Sequence, residues 1–350
     1  MEPGPNDPLS LLDRLPPRDR LGRALRDLRI SVIDRCNFRC PYCMPKERYH
    51  EHYRFLKSHE RLSFDEITRL VRLFTQLGVR KLRITGGEPL LRPQLEDLIG
   101  DLTTLPSIED VALTTNGVLL AQHAAALRAA GLARVTVSLD TLDPELFARM
   151  AGGYGNPQEV LDGIQAAQTA RLAPIKINAV VQRGLNDHTT LDLLERFRGT
   201  GITVRFIEYM DVGNRNGWRR EEVVPSAELR ARIAARWPLE PVAGASRSDV
   251  AQRYRFLDGA GELGFISSVT QPFCGDCVRA RLASDGVLYG CLFATSGVDL
   301  RTPLRAGADD AALLELIRGF WRGRSDRYSE LRGEQVVHGP KRIEMNHIGG

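Results

Sequence analysis

The chain has 350 residues, of which 43% are hydrophobic and 26% are charged, values that are ordinary for a globular protein. Its formal net charge of +4 is too small to indicate nucleic-acid binding, and no apolar run approaches the roughly 18 residues that a membrane helix needs. The N-terminal residues lack the apolar core of a signal peptide. We therefore expect a cytoplasmic protein that binds neither nucleic acid nor membranes.

Strand-like and helix-like segments alternate along most of the chain. Residues 1–20 are rich in Pro, Arg and Asp, lack periodicity and are expected to form a flexible tail. Beyond them, apolar runs predict strands at Leu28–Ile33, Lys81–Thr85, Asp110–Thr114, Arg134–Leu139, Ile175–Val181 and Thr203–Ile207. Between the first two, Ser63 and Glu66 form a capping-box pattern, apolar residues follow at helical spacing, and Gly78 marks the expected helix end.

Strand–helix units in series predict an α/β fold, in which helices cover a parallel sheet. Six units are too few to close an eight-stranded barrel, so we expect an open partial (β/α)6 barrel of the TIM type over residues 21–240. The alternation fades beyond that range. Residues 241–350 are therefore expected to form a C-terminal extension that covers one mouth of the barrel.

The six cysteines occur in two groups of three, and the first group follows the first predicted strand. In a reducing cytoplasm, grouped cysteines more often bind metal than form disulfides. Thiolates at the spacing of Cys36, Cys40 and Cys43 can hold three irons of a cubane iron–sulfur cluster and leave the fourth iron open for a ligand. A structural zinc site that uses a distant histidine is the alternative.

The second group, Cys274, Cys277 and Cys291, again supplies three thiolates, and zinc is a stronger competitor for it. Arg279 and Arg281 follow Cys277 at alternate positions, so on an extended segment both side chains would point the same way. Two guanidinium groups beside an open iron suit a phosphorylated ligand. A solvated basic stretch is the plainer interpretation of the same residues.

Polar and glycine residues recur on or just after the later strands. Gly86-Gly87-Glu88-Pro89 follows the second strand, where paired glycines permit close backbone approach and a carboxylate suits an ammonium group. The other such residues include Thr114, Ser138, Lys176 and Met210. Because parallel α/β barrels form their sites at the carboxyl ends of the strands, these residues indicate one lined cavity.

Together these motifs resemble the GTP 3′,8-cyclase family within the radical S-adenosylmethionine superfamily. The resemblance covers residues 21–350 and includes Tyr42 directly before the third cysteine, the Gly-Gly-Glu-Pro segment, Arg205–Met210, Cys277-Val-Arg279-Ala-Arg281 and the terminal Gly349-Gly350. A radical enzyme that modifies a peptide is one alternative, against which the paired arginines and the Gly-Gly terminus argue. A zinc-stabilised scaffold without chemistry is another.

The resemblance implies ligands and roles for particular residues. Two [4Fe-4S] clusters would be held by Cys36, Cys40 and Cys43 and by Cys274, Cys277 and Cys291. Contacts to S-adenosylmethionine are implied for Tyr42, Gly87, Ser138 and Met210. Contacts to GTP are implied for Arg29, Arg83, Thr114, Lys176, Arg279 and Arg281, with Lys81 as a further basic candidate. Arg279, Arg281, Gly349 and Gly350 are the implied catalytic residues, and His347 is left without a role.

The implied reaction is the first step of molybdenum cofactor biosynthesis. Reductive cleavage of S-adenosylmethionine would give a 5′-deoxyadenosyl radical, which removes the 3′ hydrogen of GTP. The ribose radical would attack C8 of the guanine, and reduction with protonation would give (8S)-3′,8-cyclo-7,8-dihydroguanosine 5′-triphosphate. The second cluster would hold the guanine while basic residues hold the triphosphate. An external one-electron donor of the flavodoxin type and a homodimer are also expected.

Overall fold

Six parallel strands form the middle of the sheet in a computed structural model that describes residues 16–244, 248–332 and 341–350. These strands pair in chain order and are β1 (Asp27–Ser31), β2 (Lys81–Thr85), β3 (Asp110–Thr115), β4 (Arg134–Ser138), β5 (Lys176–Val181) and β6 (Thr203–Glu208). The helices of this part are α1 (Phe64–Gln76), α2 (Leu95–Thr103), α3 (Leu120–Ala129), α4 (Pro144–Met150), α5 (Pro157–Thr169), α6 (Thr190–Phe197) and α7 (Ser226–Arg236). Each predicted strand is confirmed to within two residues at its ends.

Helix α1 begins and ends where its sequence predicts. The Ser63 side chain accepts a hydrogen bond from the Glu66 backbone N–H at 3.1 Å, and the Glu66 carboxylate accepts one from the Ser63 N–H at 2.7 Å. Two otherwise unpaired backbone donors at the helix start are thereby satisfied. Gly78, with φ of +104°, follows the last turn and adopts a conformation that favours glycine.

Alternation along the strands separates the core from the interior of the barrel. On β1, Leu28 and Ile30 are at most 1% exposed and belong to the main hydrophobic core. Arg29 lies between them and lines the barrel cavity instead. Side chains on successive strand residues point to opposite faces, so one strand both packs the core and supplies a cavity residue.

The C-terminal part of the chain lengthens the sheet at both edges. Its strands are β7 (Leu239–Val242), β8 (Gln252–Phe256), β9 (Glu262–Ile266), β10 (Arg279–Leu282), β11 (Val287–Tyr289) and β12 (Val298–Asp299). Its helices are α8 (Arg301–Arg305), α9 (Asp310–Gly323), α10 (Tyr328–Leu331) and α11 (Met345–Ile348). β9 pairs in parallel with β6, and β10 pairs in parallel with β1.

Across the described residues the strand order is β12-β11-β10-β1-β2-β3-β4-β5-β6-β9-β8-β7, and no pairing joins the two ends. The open partial barrel is therefore confirmed, although the expectation of six strands missed β9 and β10. Neither strand is followed by a helix in the regular strand–helix pattern, and β10 carries two arginines in four residues. The boundary near residue 240 stays a prediction, since strands from both sides of it share one sheet.

The folded body begins earlier than the sequence predicts. Residues 1–15 of the expected tail lie outside the described residues. Asp19, which falls in the same expected tail, is 6% exposed and forms ion pairs with Arg23 and Arg324. The predicted tail boundary at residue 20 is therefore too late. Within the described ranges, no helix is both long and apolar enough to cross a membrane.

Candidate active site

All six cysteines line one cavity of about 340 Å³ within the barrel. The cavity also collects most of the other residues that the sequence singles out: Arg29, Tyr42, Arg83, Gly87, Thr114, Ser138, Met210, Arg279, Arg281 and Gly350. Lys176 and Gly349 are not among its lining residues. The predicted convergence of strand ends on one cavity is confirmed, and the second cysteine group opens into the same space as the first.

The first cysteine loop rests directly on the paired glycines after β2. The Gly87 N–H donates to the Ile33 carbonyl at 2.7 Å. A Cβ atom on Gly87 would lie 2.1 Å from the Arg35 carbonyl oxygen and 3.0 Å from the Cys36 nitrogen. Only glycine leaves room for this backbone contact. The Gly-Gly pair therefore sets the position at which the cysteine loop leaves β1.

Glu88 does not line the cavity, although the sequence predicts that its carboxylate faces an ammonium ligand there. Its carboxylate accepts hydrogen bonds from the Leu90 N–H at 3.0 Å, the Thr115 hydroxyl at 2.8 Å and the Asn116 N–H at 2.7 Å. Burial nevertheless raises the pKa of Glu88 to about 7. Because these donors already engage both carboxylate oxygens and the residue does not line the cavity, Glu88 ties β2 to β3 rather than facing an ammonium ligand.

The thiols of the first group lie in surroundings that disfavour a free negative charge. Burial raises the pKa of Cys36 to about 12, and the charge of Glu88 adds to the effect. Burial, followed by the thiols of Cys36 and Cys43, raises the pKa of Cys40 well above its usual value. Thiolates here need a bound cation to compensate them, as iron would do. The chemistry of this donor set therefore fits an iron–sulfur cluster.

Tyr42 is fixed against the fourth strand. Its hydroxyl donates to the Asp140 carboxylate at 2.7 Å, and the Val180 N–H donates to the other carboxylate oxygen at 2.8 Å. Burial raises the pKa of Asp140 to about 6 despite these hydrogen bonds. The ring of Tyr42 is thereby held at the cavity wall beside Ser138. Asp140 is the residue that gives the predicted aromatic its orientation.

The second cysteine group is surrounded by arginines. The Arg279 guanidinium donates to the Cys277 sulfur at 3.3 Å. Burial acts to raise the pKa of Cys277, but the charges of Arg279 and Arg324 outweigh it and lower the value to about 6. Burial raises the pKa of Cys291 to about 11, with a contribution from Asp326. In the described parts of the chain, no three His, Cys, Asp or Glu side chains form a ready site for a single metal ion.

Three arginines stand in register across neighbouring strands. Arg29 on β1 is paired with Arg281 on β10 and with Arg83 on β2. Burial and the two neighbouring guanidinium groups lower the pKa of Arg29 well below its usual value, and burial lowers the pKa values of Arg83 and Arg281 to about 10. Like charges held together in a cavity indicate that an anion of several charges belongs there.

A second basic pair flanks this row. Burial, with Arg83 and Arg134, lowers the pKa of Arg205 to about 9, and burial with Arg205 lowers that of Lys176 to about 8. Arg205 donates to the Thr136 hydroxyl at 3.3 Å and lines the cavity, whereas Lys176 does not line it. Arg205 was missed as a site residue. Its alternation with Ile207, which also lines the cavity, is the signal that could have found it.

The C-terminal glycines enter the cavity region. Gly350 lines the cavity, and the Gly349 carbonyl accepts a hydrogen bond from Arg281. Gly349 has φ of +73°, and a Cβ atom there would lie 2.2 Å from the Thr85 methyl group. Both the conformation and the contact with Thr85 require glycine at this position.

Hydrogen bonds before the glycines hold the tail on two sides. Asn346 donates to the Asp34 carbonyl at 3.1 Å and accepts from the Tyr49 hydroxyl at 2.9 Å, which ties the tail to the first cysteine loop. His347 Nε2 lies 3.1 Å from the Asp285 carboxylate, in the turn that follows β10. The tail therefore joins the two cysteine regions, and His347 gains a structural partner.

The comparisons with known proteins agree with this arrangement. The Radical SAM superfamily profile matches residues 30–197, and the profile named Molybdenum Cofactor Synthesis C matches residues 202–330. Among solved structures, Streptococcus suis SuiB bound to S-adenosylmethionine has a TM-score of 0.54 at 14% identity, covering 97% of this chain and 74% of that one. The anSMEcpe structure with bound AdoMet has a TM-score of 0.52 at 16% identity, covering 76% and 74%. At these identities the similarity shows the fold alone.

Relatives of high identity span the whole chain. The GTP 3′,8-cyclase of Xanthomonas axonopodis pv. citri (strain 306) is 56% identical over 335 residues, which cover 96% of this chain and 99% of that protein. The one of Acidothermus cellulolyticus is 51% identical and covers 96% and 99%, and that of Staphylococcus aureus (strain MRSA252) is 46% identical and covers 95% and 98%. The chain belongs to the GTP 3′,8-cyclase family of the radical S-adenosylmethionine superfamily.

Proposed function

We propose that this chain converts GTP to (8S)-3′,8-cyclo-7,8-dihydroguanosine 5′-triphosphate, the first step of molybdenum cofactor biosynthesis. The observation that carries the proposal is the shared cavity, in which two sets of three free cysteines flank a row of three arginines. The reaction needs one site for a radical source and one for a nucleoside triphosphate. Family membership supplies the particular substrate and product.

Cys36, Cys40 and Cys43 would hold the first [4Fe-4S] cluster, the group that defines the superfamily. When bound, this cluster and S-adenosylmethionine supply the one-electron reduction and the hydrogen-abstracting group. The chain's own residues would hold the cofactor. Gly87 lets the backbone after β2 lie against the first cysteine loop, and Tyr42, oriented by Asp140, offers a ring for the adenine. Ser138 and Met210 line the same wall and complete the proposed contacts.

The triphosphate of GTP would lie along the arginine row. Arg281 is buried, Arg29 and Arg83 are half-buried, and the charges of Arg83 and Arg281 act on Arg29, a repulsion that phosphate oxygens would relieve. Arg205 adds a further guanidinium from β6, Lys176 adds a charge near Arg205, and Thr114 adds a hydroxyl. Binding energy at the phosphates would position the ribose for reaction, so this is catalysis by positioning.

Cys274, Cys277 and Cys291 would hold a second [4Fe-4S] cluster, which would supply a place for the guanine to bind. Three thiols with no fourth cysteine leave one coordination position for a ligand. Arg279 donates to the Cys277 sulfur, so its guanidinium would lie directly beside the second cluster. Arg281 belongs to the arginine row and also donates to the Gly349 carbonyl, so it would link phosphate binding to the tail. We assign catalytic roles to Arg279, Arg281, Gly349 and Gly350 on this basis.

The partners implied by this chemistry are a reductant and a second subunit. Each turnover consumes electrons, and the amino-acid side chains do not supply them. An external one-electron donor of the flavodoxin type is therefore proposed. A homodimer is proposed from the family resemblance. Free thiols at both sites suit a reducing compartment, which supports a cytoplasmic location.

Product analysis tests the proposed function. The reconstituted protein is incubated anaerobically with GTP, S-adenosylmethionine and a chemical reductant, and products are identified by mass spectrometry. We expect 5′-deoxyadenosine together with an isomer of GTP that carries the 3′–C8 bond. Reactions without S-adenosylmethionine, or with ATP in place of GTP, are the controls. Cleavage of S-adenosylmethionine with unchanged GTP would reject the cyclase proposal and would leave a peptide-modifying enzyme as the alternative.

A further inference from the structure

A buried network joins the start of the folded chain to the second cysteine group. Asp19 accepts hydrogen bonds through one carboxylate oxygen from the Leu21 N–H at 3.0 Å and the Arg23 N–H at 2.9 Å. Its other oxygen accepts from Arg23 Nε at 2.6 Å and from Arg324 Nη1 at 2.7 Å. The three side chains are at most 2% exposed. Asp19 therefore compensates two buried cations that come from distant parts of the sequence.

The two arginines then bind the backbone beside each of the second-group cysteines. Arg23 Nη1 donates to the Cys274 carbonyl at 2.7 Å, and Arg324 Nη1 donates to the Cys277 carbonyl at 3.1 Å. Arg324 Nε donates to the carbonyl of Gly290, the residue directly before Cys291, at 2.9 Å. One carboxylate thus holds three backbone carbonyls, on the two segments that carry the three cysteines, through two planar guanidinium groups.

The packing around this network is continuous. The Trp321 indole N–H donates to the Arg23 carbonyl at 3.1 Å, and the Arg324 guanidinium lies 4.6 Å from the Trp321 ring centroid. Trp321 is 1% exposed and belongs to the main core. The network is therefore anchored in the core on one side and ends at the cysteine backbone on the other.

We propose that Asp19, Arg23 and Arg324 form a frame that fixes the backbone of the second cysteine group before any metal binds. They are positioning residues, because they act through the carbonyl groups of Cys274, Cys277 and Gly290 that they bind, although Arg324 also lies at the cavity wall. That the fixed thiols serve a second cluster rests on the proposed function. The frame itself is a property of the protein without metal.

The test compares full-length wild-type chain with Asp19→Asn before reconstitution, by hydrogen–deuterium exchange and mass spectrometry. The amide keeps the shape but removes the charge that holds two guanidinium groups together. We expect peptides covering residues 272–278 and 288–293 to exchange at least about ten-fold faster. Peptides covering residues 34–44, around the first cysteine group, should exchange at the wild-type rate.

A matched control breaks an ion pair elsewhere in the sheet. Glu262→Gln removes the partner of Arg253, which lies 2.6 Å away, and should leave both cysteine peptides unchanged. If Asp19→Asn fails to fold, Arg23→Lys keeps the charge but lacks the fork that holds Asp19 and the Cys274 carbonyl together, and it should show the same selective effect. Unchanged exchange, or equal acceleration at both cysteine groups, would overturn the proposal.

The iron content of the reconstituted variant is a second measurement. After reconstitution, Asp19→Asn should lose about half of its iron while S-adenosylmethionine cleavage persists. If the wild-type chain itself binds only one cluster, the second-cluster proposal fails. The exchange pattern in the metal-free protein would still report on the frame. The two failures are therefore distinguishable.

Discussion

The two cysteine regions share a cavity but are built in opposite ways. The first loop is assembled mainly from neighbours in the barrel, chiefly the residues that follow β1, β2 and β3, such as Gly87 and Asn116. The second is assembled from distant segments, since residues 19–23, 274–291 and 324 meet there. A local loop can be recognised from its spacing, whereas the second site exists only when the whole chain has folded.

The charged residues around the two cysteine groups are of opposite sign, and so are the charges of the two proposed ligands. The carboxylates of Glu88 and Asp140 contribute to raising thiol pKa values in the first group, while Arg279 and Arg324 lower the pKa of Cys277 in the second. S-adenosylmethionine carries positive charge, and GTP carries several negative charges. Each region therefore carries charge of the sign opposite to that of its proposed ligand.

Removal of one second-group thiol should have the largest effect, a loss of half of the bound iron. Reconstituted wild-type chain should bind about eight irons, and Cys277→Ala should bind about four, because each cubane holds four. Iron and acid-labile sulfide analysis, with zinc measured in the same samples, checks this. About four irons and one zinc in the wild-type protein would assign the second group to zinc and would leave the first-group assignment intact.

Deletion of Gly349 and Gly350 should abolish the cyclised nucleotide without removing either cluster. The tail bridges the two regions, and its loss takes away the carbonyl that Arg281 binds. Iron content, S-adenosylmethionine binding and thermal stability should stay near wild-type values. Mass spectrometry of the products, with 5′-deoxyadenosine measured in the same sample, is the readout. Normal yields of cyclised product would show that the two glycines are not needed for turnover.

Replacement of Arg279 or Arg281 by Ala should weaken GTP binding or turnover by about 2–5 kcal/mol, because each removes a charge that faces a desolvated anion. Iron content should stay normal. Isothermal titration with GTP and initial-rate measurements check the loss. Arg255→Ala, whose side chain is 60% exposed and pairs with Glu240, is the control and should change neither value. Wild-type affinity and rate in both cavity variants would show that neither arginine takes part in binding GTP.

The smallest effect should come from His347. Burial acts to lower the pKa of His347, but Asp285 and Asp34 outweigh it and raise the value, while His347 and Arg301 help to lower the pKa of Asp285. The stabilising contribution of His347 is therefore fully present below the ordinary histidine pKa of about 6.5 and is lost as pH rises through the raised value. His347→Gln should destabilise the protein by up to about 1 kcal/mol near pH 6 and by less near pH 9. Thermal unfolding at both pH values measures this, and equal destabilisation would exclude an ionic contribution.

Local signals predicted the parts of the molecule that are built locally. Apolar periodicity gave the six central strands, and Ser63 with Glu66 gave the start of α1. Cysteine spacing predicted two groups of metal ligands, and the structure places all six cysteines on one cavity, although only the first group lies in a single loop.

Features that depend on distant contacts escaped sequence reasoning. The pairing of β10 with β1, which aligns Arg281 with Arg29, joins residues that are more than two hundred positions apart. Asp19 looked like part of a polar tail because its partner Arg324 lies near the other end of the chain. The place of Glu88 could not be predicted because two of its hydrogen-bond donors, Thr115 and Asn116, lie at and just after the end of the next strand. Register and long-range charge pairing are tertiary properties that no short motif encodes.

The two cysteine regions are proposed to divide the chemistry between them, and product analysis of one variant from each region tests this division. Reconstituted Cys40→Ala and Cys277→Ala proteins are incubated with GTP, S-adenosylmethionine and reductant, and 5′-deoxyadenosine and cyclised nucleotide are quantified in the same samples. Cys40→Ala should form neither product. Cys277→Ala should still form 5′-deoxyadenosine but no cyclised nucleotide, because the guanine is proposed to bind at the second region. Equal loss of both products in the two variants would contradict the account.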